Sequence, residues 1–83
     1  FAMVDLFKVL RYARSTGGSL EAKISRKEIK NVKLPKLADE IRFKVEALHF
    51  SKVPFVAKIV LEPSGKALEL PLESIAELRM ARS

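Results

Sequence analysis

Residues 41–62 constrain the fold most, because they form two alternating segments separated by a short connection. In IRFKVEALHF, residues 41–50, every second residue from Ile41 to His49 lies on one face, which is apolar apart from the histidine. FVAKIVLE, residues 55–62, alternates in the same way. A period of two is typical of a half-buried strand, so this region predicts an antiparallel hairpin.

The side chains also predict the register of this hairpin. A three-residue loop over 51–53 places residues 43, 45, 47 and 49 opposite residues 61, 59, 57 and 55. On the other face it places Glu46 opposite Lys58 and Arg42 opposite Glu62. A slip of one residue would set charged side chains against apolar ones, and opposite charges across a pair of strands stabilise it. We therefore expect this register.

The second face of the hairpin mixes cations with apolar groups. These residues are Arg42, Lys44, Glu46, Leu48, Phe50, Val56, Lys58 and Val60. Such a surface can bind single-stranded nucleic acid, because apolar groups contact bases while cations follow the phosphates. It can equally be a subunit interface, since exposed apolar patches mark association, or a second core layer covered by a helix. The sequence leaves these three interpretations open.

The remaining segments predict three helices and two more strands. Helical spacing of apolar residues predicts helices over 3–14 and 71–82. A capping box formed by Ser25 and Glu28 predicts a short helix over 26–32, and one further turn is expected through 36–40. Alternation predicts strands over 19–25 and 66–70, although the sequence does not decide which face Leu68 and Leu70 occupy. The predicted fold class is α+β: an antiparallel sheet of about four strands with an N-terminal helix, a short central helix and a C-terminal helix.

The positive charge is concentrated in one third of the chain. The net charge is +6, and residues 11–36 contain eight cations and two acids. The rest of the chain contains eight of each and is neutral. A local excess of this kind is the electrostatic signature of a polyanionic partner, although a solvated surface rich in lysine would look similar.

Several classes of function are not expected from the residues present. The chain has no cysteine, and its one histidine, His49, has no clustered carboxylates beside it, so we expect no enzyme, metal, cofactor or small-molecule substrate. The glycines of STGGS, residues 15–19, are explained as a helix stop. No apolar run is long enough to span a bilayer, and we expect a cytoplasmic protein without a membrane partner.

The chain length predicts one small domain over residues 3–83, with residues 1–2 as a cloning remnant. Glutamine is absent, asparagine occurs once, and lysine, arginine and glutamate are abundant, a balance typical of proteins from hot environments. We therefore expect a thermophilic, archaeal source.

These observations predict a sequence-independent nucleic-acid-binding protein that prefers single-stranded DNA and acts as a homo-oligomer, with RNA left open as a ligand. The alternative is a protein-interaction or oligomerisation module. The expected nucleic-acid contacts are Arg11, Tyr12, Arg14, Lys23, Arg26, Lys27, Lys30, Lys33, Lys36, Arg42, Lys44, Phe50 and Lys58.

A short basic α+β chain with a thermophile composition, an antiparallel meander and no enzyme motif resembles the ThermoDBP-type and ThermoDBP-related single-stranded DNA-binding proteins of hyperthermophilic archaea. The resemblance extends over most of the chain as general architecture. It implies sequence-tolerant binding of single strands by an oligomer, through a clefted sheet surface with basic groups. It assigns no role to an individual residue.

Overall fold

The computed structural model describes residues 3–26 and 36–81. Within these residues one helix precedes five strands, and a short 3₁₀ turn separates the last two. The elements are α1 (Met3–Thr16), β1 (Leu20–Ile24), β2 (Glu40–His49), β3 (Val56–Leu61), β4 (Ala67–Pro71), the 3₁₀ turn (Leu72–Ser74) and β5 (Ile75–Met80).

Helix α1 lies where its apolar spacing predicts and ends two residues later than expected. Leu6, Leu10 and Ala13 form its buried stripe, and the helix contacts β2 and β5. Gly17 has a φ of 72°, and the backbone N–H of Gly18 donates to the carbonyl oxygen of Ala13 at 3.1 Å. A left-handed glycine with this hydrogen bond is the Schellman ending of a helix, so STGGS acts as the expected stop.

The five strands form one antiparallel sheet in the order β4-β3-β2-β1-β5, and this sheet must be strongly curled. In a flat sheet the two edge strands would lie about 19 Å apart, four strand spacings of about 4.8 Å. The four-residue step from Pro71 to Ile75 can reach at most about 14 Å. The 3₁₀ turn connects the two edge strands along the chain, and hydrogen bonds hold it to the segments beside their neighbours: the N–H of Ser25, after β1, donates to Ser74, and the N–H of Leu72 donates to Phe55, before β3. The sheet is therefore a partly open barrel.

The core fills the inside of this curled sheet. Phe43, Leu20 and Ile59 on three neighbouring strands are completely buried, and Leu10 of α1 and Leu72 of the 3₁₀ turn are also buried. Each strand contributes its inward-facing residues to one continuous cluster. A single apolar core therefore holds the helix, the strands and the turn together.

The predicted hairpin register is right for the first half of β2 and wrong for the second half. Phe43 pairs with Leu61 and Val45 with Ile59, as expected. The register then shifts between Val45 and Ala47, so that residues 47, 48 and 49 pair with residues 58, 57 and 56. This β-bulge adds one residue to β2, and an extra residue moves the following side chains to the opposite face. The loop is consequently 50–55 rather than 51–53.

The bulge changes the composition of the mixed face. Leu48 now pairs with the fully buried Ala57 and packs against the core. His49 is exposed instead of facing the core. The face that remains outside carries Arg42, Lys44 and Glu46. Leu48, which the alternating pattern assigned to the outer face, therefore belongs to the core.

The structure settles the position of β4. Leu70 pairs with Ala57 and Leu68 with Ile59, and both leucines contact the core. Residues 62–65 form the turn, in which Gly65 has a φ of 77° and donates to the carbonyl oxygen of Leu61. Leu68 and Leu70 thus occupy the core face, one of the two positions that the sequence left open.

The predicted C-terminal helix over 71–82 is wrong, since this segment is the 3₁₀ turn followed by β5. Leu72, Ile75 and Leu78 are buried at intervals of three, a spacing that imitates a helical stripe. The interval from Leu72 to Ile75 spans the turn, and the interval from Ile75 to Leu78 contains a bulge at which β5 shifts its register against β1. Glu77 occupies this bulge with a φ of 48°.

The predicted fold class is therefore wrong as stated. The described residues contain one α-helix and five strands instead of three helices and about four strands. Most of the short central helix predicted over 26–32 lies outside the described residues. The further turn predicted through 36–40 is absent, because residues 36–38 have no regular structure and Glu40 already begins β2.

Candidate nucleic-acid interface

The exterior of the sheet carries a row of charges whose signs alternate from strand to strand. Arg42 on β2 lies beside Glu62, at 3.8 Å between Nε and Oε1, and is paired with Glu21 on β1. Arg79 on β5 is 3.4 Å from Glu21 and 3.8 Å from Glu40. Each cation in this row therefore lies next to a carboxylate.

Two further predicted cations on the exterior are neutralised in the same way, whereas Lys44 on β2 is exposed and forms no ion pair with a described carboxylate. Lys58 lies 3.8 Å from Glu46 and is paired across the sheet with Glu69. Lys23 lies 3.1 Å from Glu77. These half-exposed pairs contribute little to stability, but they cancel the long-range field that attracts a polyanion. The outer face of the sheet is consequently close to charge balance.

Helix α1 forms a different surface. Its exposed side and the adjoining part of β2 line an open cleft of about 690 Å³. The lining residues are Lys8, Arg11, Tyr12, Arg14, Ser15, Val45 and Glu46. Three of them are cations and one is an acid. No described carboxylate lies within ion-pair distance of the three cations.

Two features make the cleft suitable for nucleotides. Tyr12 is 60% exposed, although burial would normally stabilise such a side chain. Arg14 is held in place, since its Nε donates to the backbone carbonyl oxygen of Glu46 at 3.1 Å. An exposed ring can stack on a base, and a positioned guanidinium can bind a phosphate.

The structure separates the predicted contact residues into groups. Arg11, Tyr12 and Arg14 meet in the cleft of α1. Lys23, Arg42 and Lys58 lie in ion pairs on the outside of the sheet, as expected for Arg42 with Glu62 and for Lys58 with Glu46.

The other predicted cations lie elsewhere. Arg26 lies 3.5 Å from Asp39 and also donates to the carbonyl oxygen of Leu37. Lys36 and Lys44 are exposed. Lys27, Lys30 and Lys33 lie outside the described residues.

Lys8 is a cleft residue that the sequence reasoning missed. The basic window of the sequence begins at Arg11 and therefore excludes it. The signal was present, since Lys8, Arg11, Tyr12 and Ser15 follow the spacing of one helical face.

Phe50 does not belong to this cleft. Its ring packs against Phe7 and Phe55, with centroid distances of 4.6 and 5.6 Å and edge-to-face geometry. The Phe50 side chain remains 41% exposed at the start of the 50–55 loop. Phe50 therefore helps to attach this loop to α1, and only its outer part can contact a partner.

No group of three or more histidine and carboxylate side chains converges within residues 3–26 and 36–81 in the way a metal ion would require. In the same part of the chain, no helix has the length and apolar character needed to cross a membrane.

No family model, curated protein or solved structure matches this chain. The resemblance to the ThermoDBP-type proteins accordingly stays a prediction.

Proposed function

We propose that this protein binds single-stranded nucleic acid, preferentially DNA, through the cleft between α1 and β2. The proposal depends on one observation: the cations of α1 line a cleft without carboxylate partners among the described residues, whereas most predicted cations on the sheet are paired. The mixed face of the sheet is accordingly a weaker candidate for the nucleic-acid-binding surface than the sequence alone indicates.

The chemistry of the cleft fits a sequence-tolerant ligand. Lys8, Arg11 and Arg14 offer three positive charges to a phosphate backbone, and Tyr12 offers a ring to any base. Stacking on an aromatic ring is tolerant of sequence, because every base has a π-face. In a duplex both faces of each base are covered by its neighbours, so stacking on Tyr12 favours unpaired strands.

The proposal is tested by titrating a labelled oligothymidine and a duplex of equal length with the protein, following fluorescence anisotropy at several salt concentrations. The expected result is tighter binding of the single strand, with a logarithmic salt slope of about −0.7 for each phosphate neutralised. If the single strand and the duplex bind equally well, and binding disappears at physiological salt, the protein attracts nucleic acid only by unspecific charge and the proposal is wrong.

The proposal includes action as a homo-oligomer in the cytoplasm. Association is supported by the apolar groups that the 50–55 loop exposes, Phe50 and Val53, the second of which is 79% exposed. Exposed apolar groups that lie close together favour contacts between proteins. Light scattering tests this part separately: Val53→Lys should lower the average mass if the loop is a contact, and a monomeric parent protein would contradict oligomerisation.

The second candidate function, a protein-interaction module, is favoured by the same loop. If the cleft binds no single strand while the loop supports association, this candidate replaces the first.

A further inference from the structure

The curled sheet has two strand edges that no other described strand covers. Within the described residues β4 pairs with β3 alone and β5 pairs with β1 alone, so each strand has one outer edge. The outer edge of a strand presents backbone N–H and C=O groups that can pair with a strand of another chain. Contact between β4 of one copy and β5 of another would satisfy both kinds of edge.

Hydrogen bonds beside β4 show which of its residues point toward the outer edge. The N–H of Leu61 donates to the carbonyl oxygen of Lys66 at 2.8 Å, and Val60 is paired with Ala67. This pattern makes Val60 and Ala67 a non-hydrogen-bonded pair, so the backbone groups of Ala67 point away from β3. Glu69 lies two residues further along and has the same orientation. Its exposed side chain belongs to the outer face of the sheet.

The same argument gives the orientation of β5. The N–H of Ala81 donates to the carbonyl oxygen of Ser19 at 2.9 Å, and Met80 is paired with Leu20. Met80 is therefore in a non-hydrogen-bonded pair, and its backbone groups point away from β1. By alternation, those of the buried Leu78 point away as well. On β5, in contrast to β4, the edge-facing residues belong to the inner face of the sheet.

Only parallel pairing joins these two edges without mixing the faces. In an antiparallel pair two edge-facing residues lie opposite each other, which would set Glu69 of the outer face against Leu78 or Met80 of the inner face. In a parallel pair an edge-facing residue lies opposite one that faces away. Glu69 is then opposite Arg79, its N–H donates to the carbonyl oxygen of Leu78, and its C=O accepts from the N–H of Met80.

We infer that β5 of a second copy of this chain adds in parallel to the outer edge of β4, with Arg79 of the second copy opposite Glu69. Glu69 is exposed, and no described cation lies within ion-pair distance of its carboxylate. Opposite charges on neighbouring strands stabilise their pairing. The signs on the exterior of the sheet alternate from strand to strand, and this pairing continues the alternation from one copy to the next.

The inner face fits the same register. Leu68 lies opposite Leu78 of the second copy, and Leu70 lies opposite Met80 of the second copy. Met80 is 42% exposed in the single chain, and the contact would cover it. Removal of apolar surface from water favours association. The contact therefore extends the core face of one sheet onto the next.

Each edge is less suited to the same edge of another copy. Two β4 edges in the central register set Glu69 against Glu69, and Pro71 has no N–H to donate. Two β5 edges would have to pair through the bulge at Glu77, which interrupts the strand. A contact between different edges is heterologous, so it generates a closed ring or an open filament. This inference rests on the oligomeric part of the proposed function and names the surface through which the copies meet.

Disulfide cross-linking tests the contact, since the chain contains no cysteine. Two single-cysteine variants, Glu69→Cys and Arg79→Cys, are mixed under oxidising conditions, and one of them carries a tag that changes its mass. Opposite residues on neighbouring strands are about 4.8 Å apart, within the range for a disulfide. We expect the mixed dimer to form and each variant alone to stay monomeric on a non-reducing gel. Lys44→Cys, at an exposed position on β2, is the control for random collisions.

A charge-reversal experiment tests the register without cross-linking. Glu69→Arg and Arg79→Glu should each lower the average mass measured by light scattering, because each variant sets like charges against each other across the contact. An equimolar mixture should restore the mass of the parent protein, because each copy then offers the other an opposite charge. Circular dichroism checks that both variants are folded.

The outcomes separate this inference from the proposed function. Cross-linked dimers of one variant alone would show pairing of like edges and overturn the contact. An oligomeric parent protein whose mixed variants cross-link no more than the Lys44→Cys control would also overturn it and leave the 50–55 loop as the contact. A monomeric parent protein would overturn both this contact and the oligomeric part of the proposed function. Binding of single strands is measured independently by the anisotropy titration.

Discussion

The Nε atom of Arg14 donates a hydrogen bond to the backbone carbonyl oxygen of Glu46 at 3.1 Å, which joins the last turn of α1 to the bulge of β2. The contact crosses 32 positions of sequence and joins the two elements that line the cleft. The bulge therefore has two effects, since it turns Leu48 into the core and brings a backbone acceptor to Arg14.

Replacing Arg14 by glutamine should weaken the binding of single strands and reduce the magnitude of the salt slope by about 0.7, the value for one phosphate contact. The free energy of unfolding should fall by less than about 1.5 kcal/mol, because the lost hydrogen bond is exposed. Anisotropy titrations and urea denaturation measure the two effects. The matched control is Arg79→Gln, since Arg79 lies in ion pairs on the outside of the sheet and should not change the slope.

Replacing Tyr12 by alanine should weaken binding by about 1–3 kcal/mol, the usual contribution of one stacked base. The salt slope should stay the same, because no charge is removed. Tyr12→Phe keeps the ring and should bind almost as well as the parent protein. If the alanine and phenylalanine variants bind equally, Tyr12 has no stacking role.

Glu77 provides a test of the β5 bulge. Its φ of 48° lies in the region that glycine adopts without strain and that a β-branched residue adopts only at high cost. Urea denaturation should show Glu77→Val to be about 1–2 kcal/mol less stable than Glu77→Gly.

The ion pair between Glu77 and Lys23 must be separated from this backbone effect. Lys23→Gln removes the same pair at 3.1 Å and leaves the bulge residue unchanged, with an expected cost of at most about 1 kcal/mol. A valine variant as stable as the glycine variant would contradict the strained bulge.

The β5 segment also shows why part of the fold could not be read from the sequence. Leu72, Ile75 and Leu78 have helical spacing, yet the spacing results from a 3₁₀ turn and a bulge. Neither feature has a strong local signal, and only pairing with β1 reveals them. Helix α1 was predictable because its stripe, its charges and its glycine stop all indicate the same structure.

The cleft was predictable only in part for a similar reason. Local charge indicates Arg11 and Arg14, and the aromatic Tyr12 lies between them on the same predicted helix. Glu46 joins them through a bulge that alternation alone does not indicate. The ion pairs of Arg42 and Lys58 were predicted correctly, but the charge balance that they create across several strands follows from the order of the strands.

Phe43 tests the core of the barrel. Its side chain is completely buried in β2, between the partners Leu20 and Leu61 on the neighbouring strands. Phe43→Ala should lower the free energy of unfolding by about 3–5 kcal/mol, through lost burial and a new cavity. Phe43→Leu should cost clearly less. Urea denaturation measures both, and an alanine variant with nearly parental stability would contradict this position of Phe43.

The most direct test of the central claim compares two triple variants that remove the same number of positive charges. One replaces Lys8, Arg11 and Arg14 by glutamine on the wall of the cleft, and the other replaces Lys23, Arg42 and Lys58 by glutamine on the outside of the sheet. The measurement is the salt slope of single-strand binding for each variant, after circular dichroism has shown that both are folded.

We expect the cleft variant to reduce the magnitude of the slope by about 2, close to three contacts of about 0.7 each, and the sheet variant to leave it almost unchanged. Equal losses in both variants would show that net charge alone attracts the strand. A larger loss in the sheet variant would place the interface on the sheet and contradict the account.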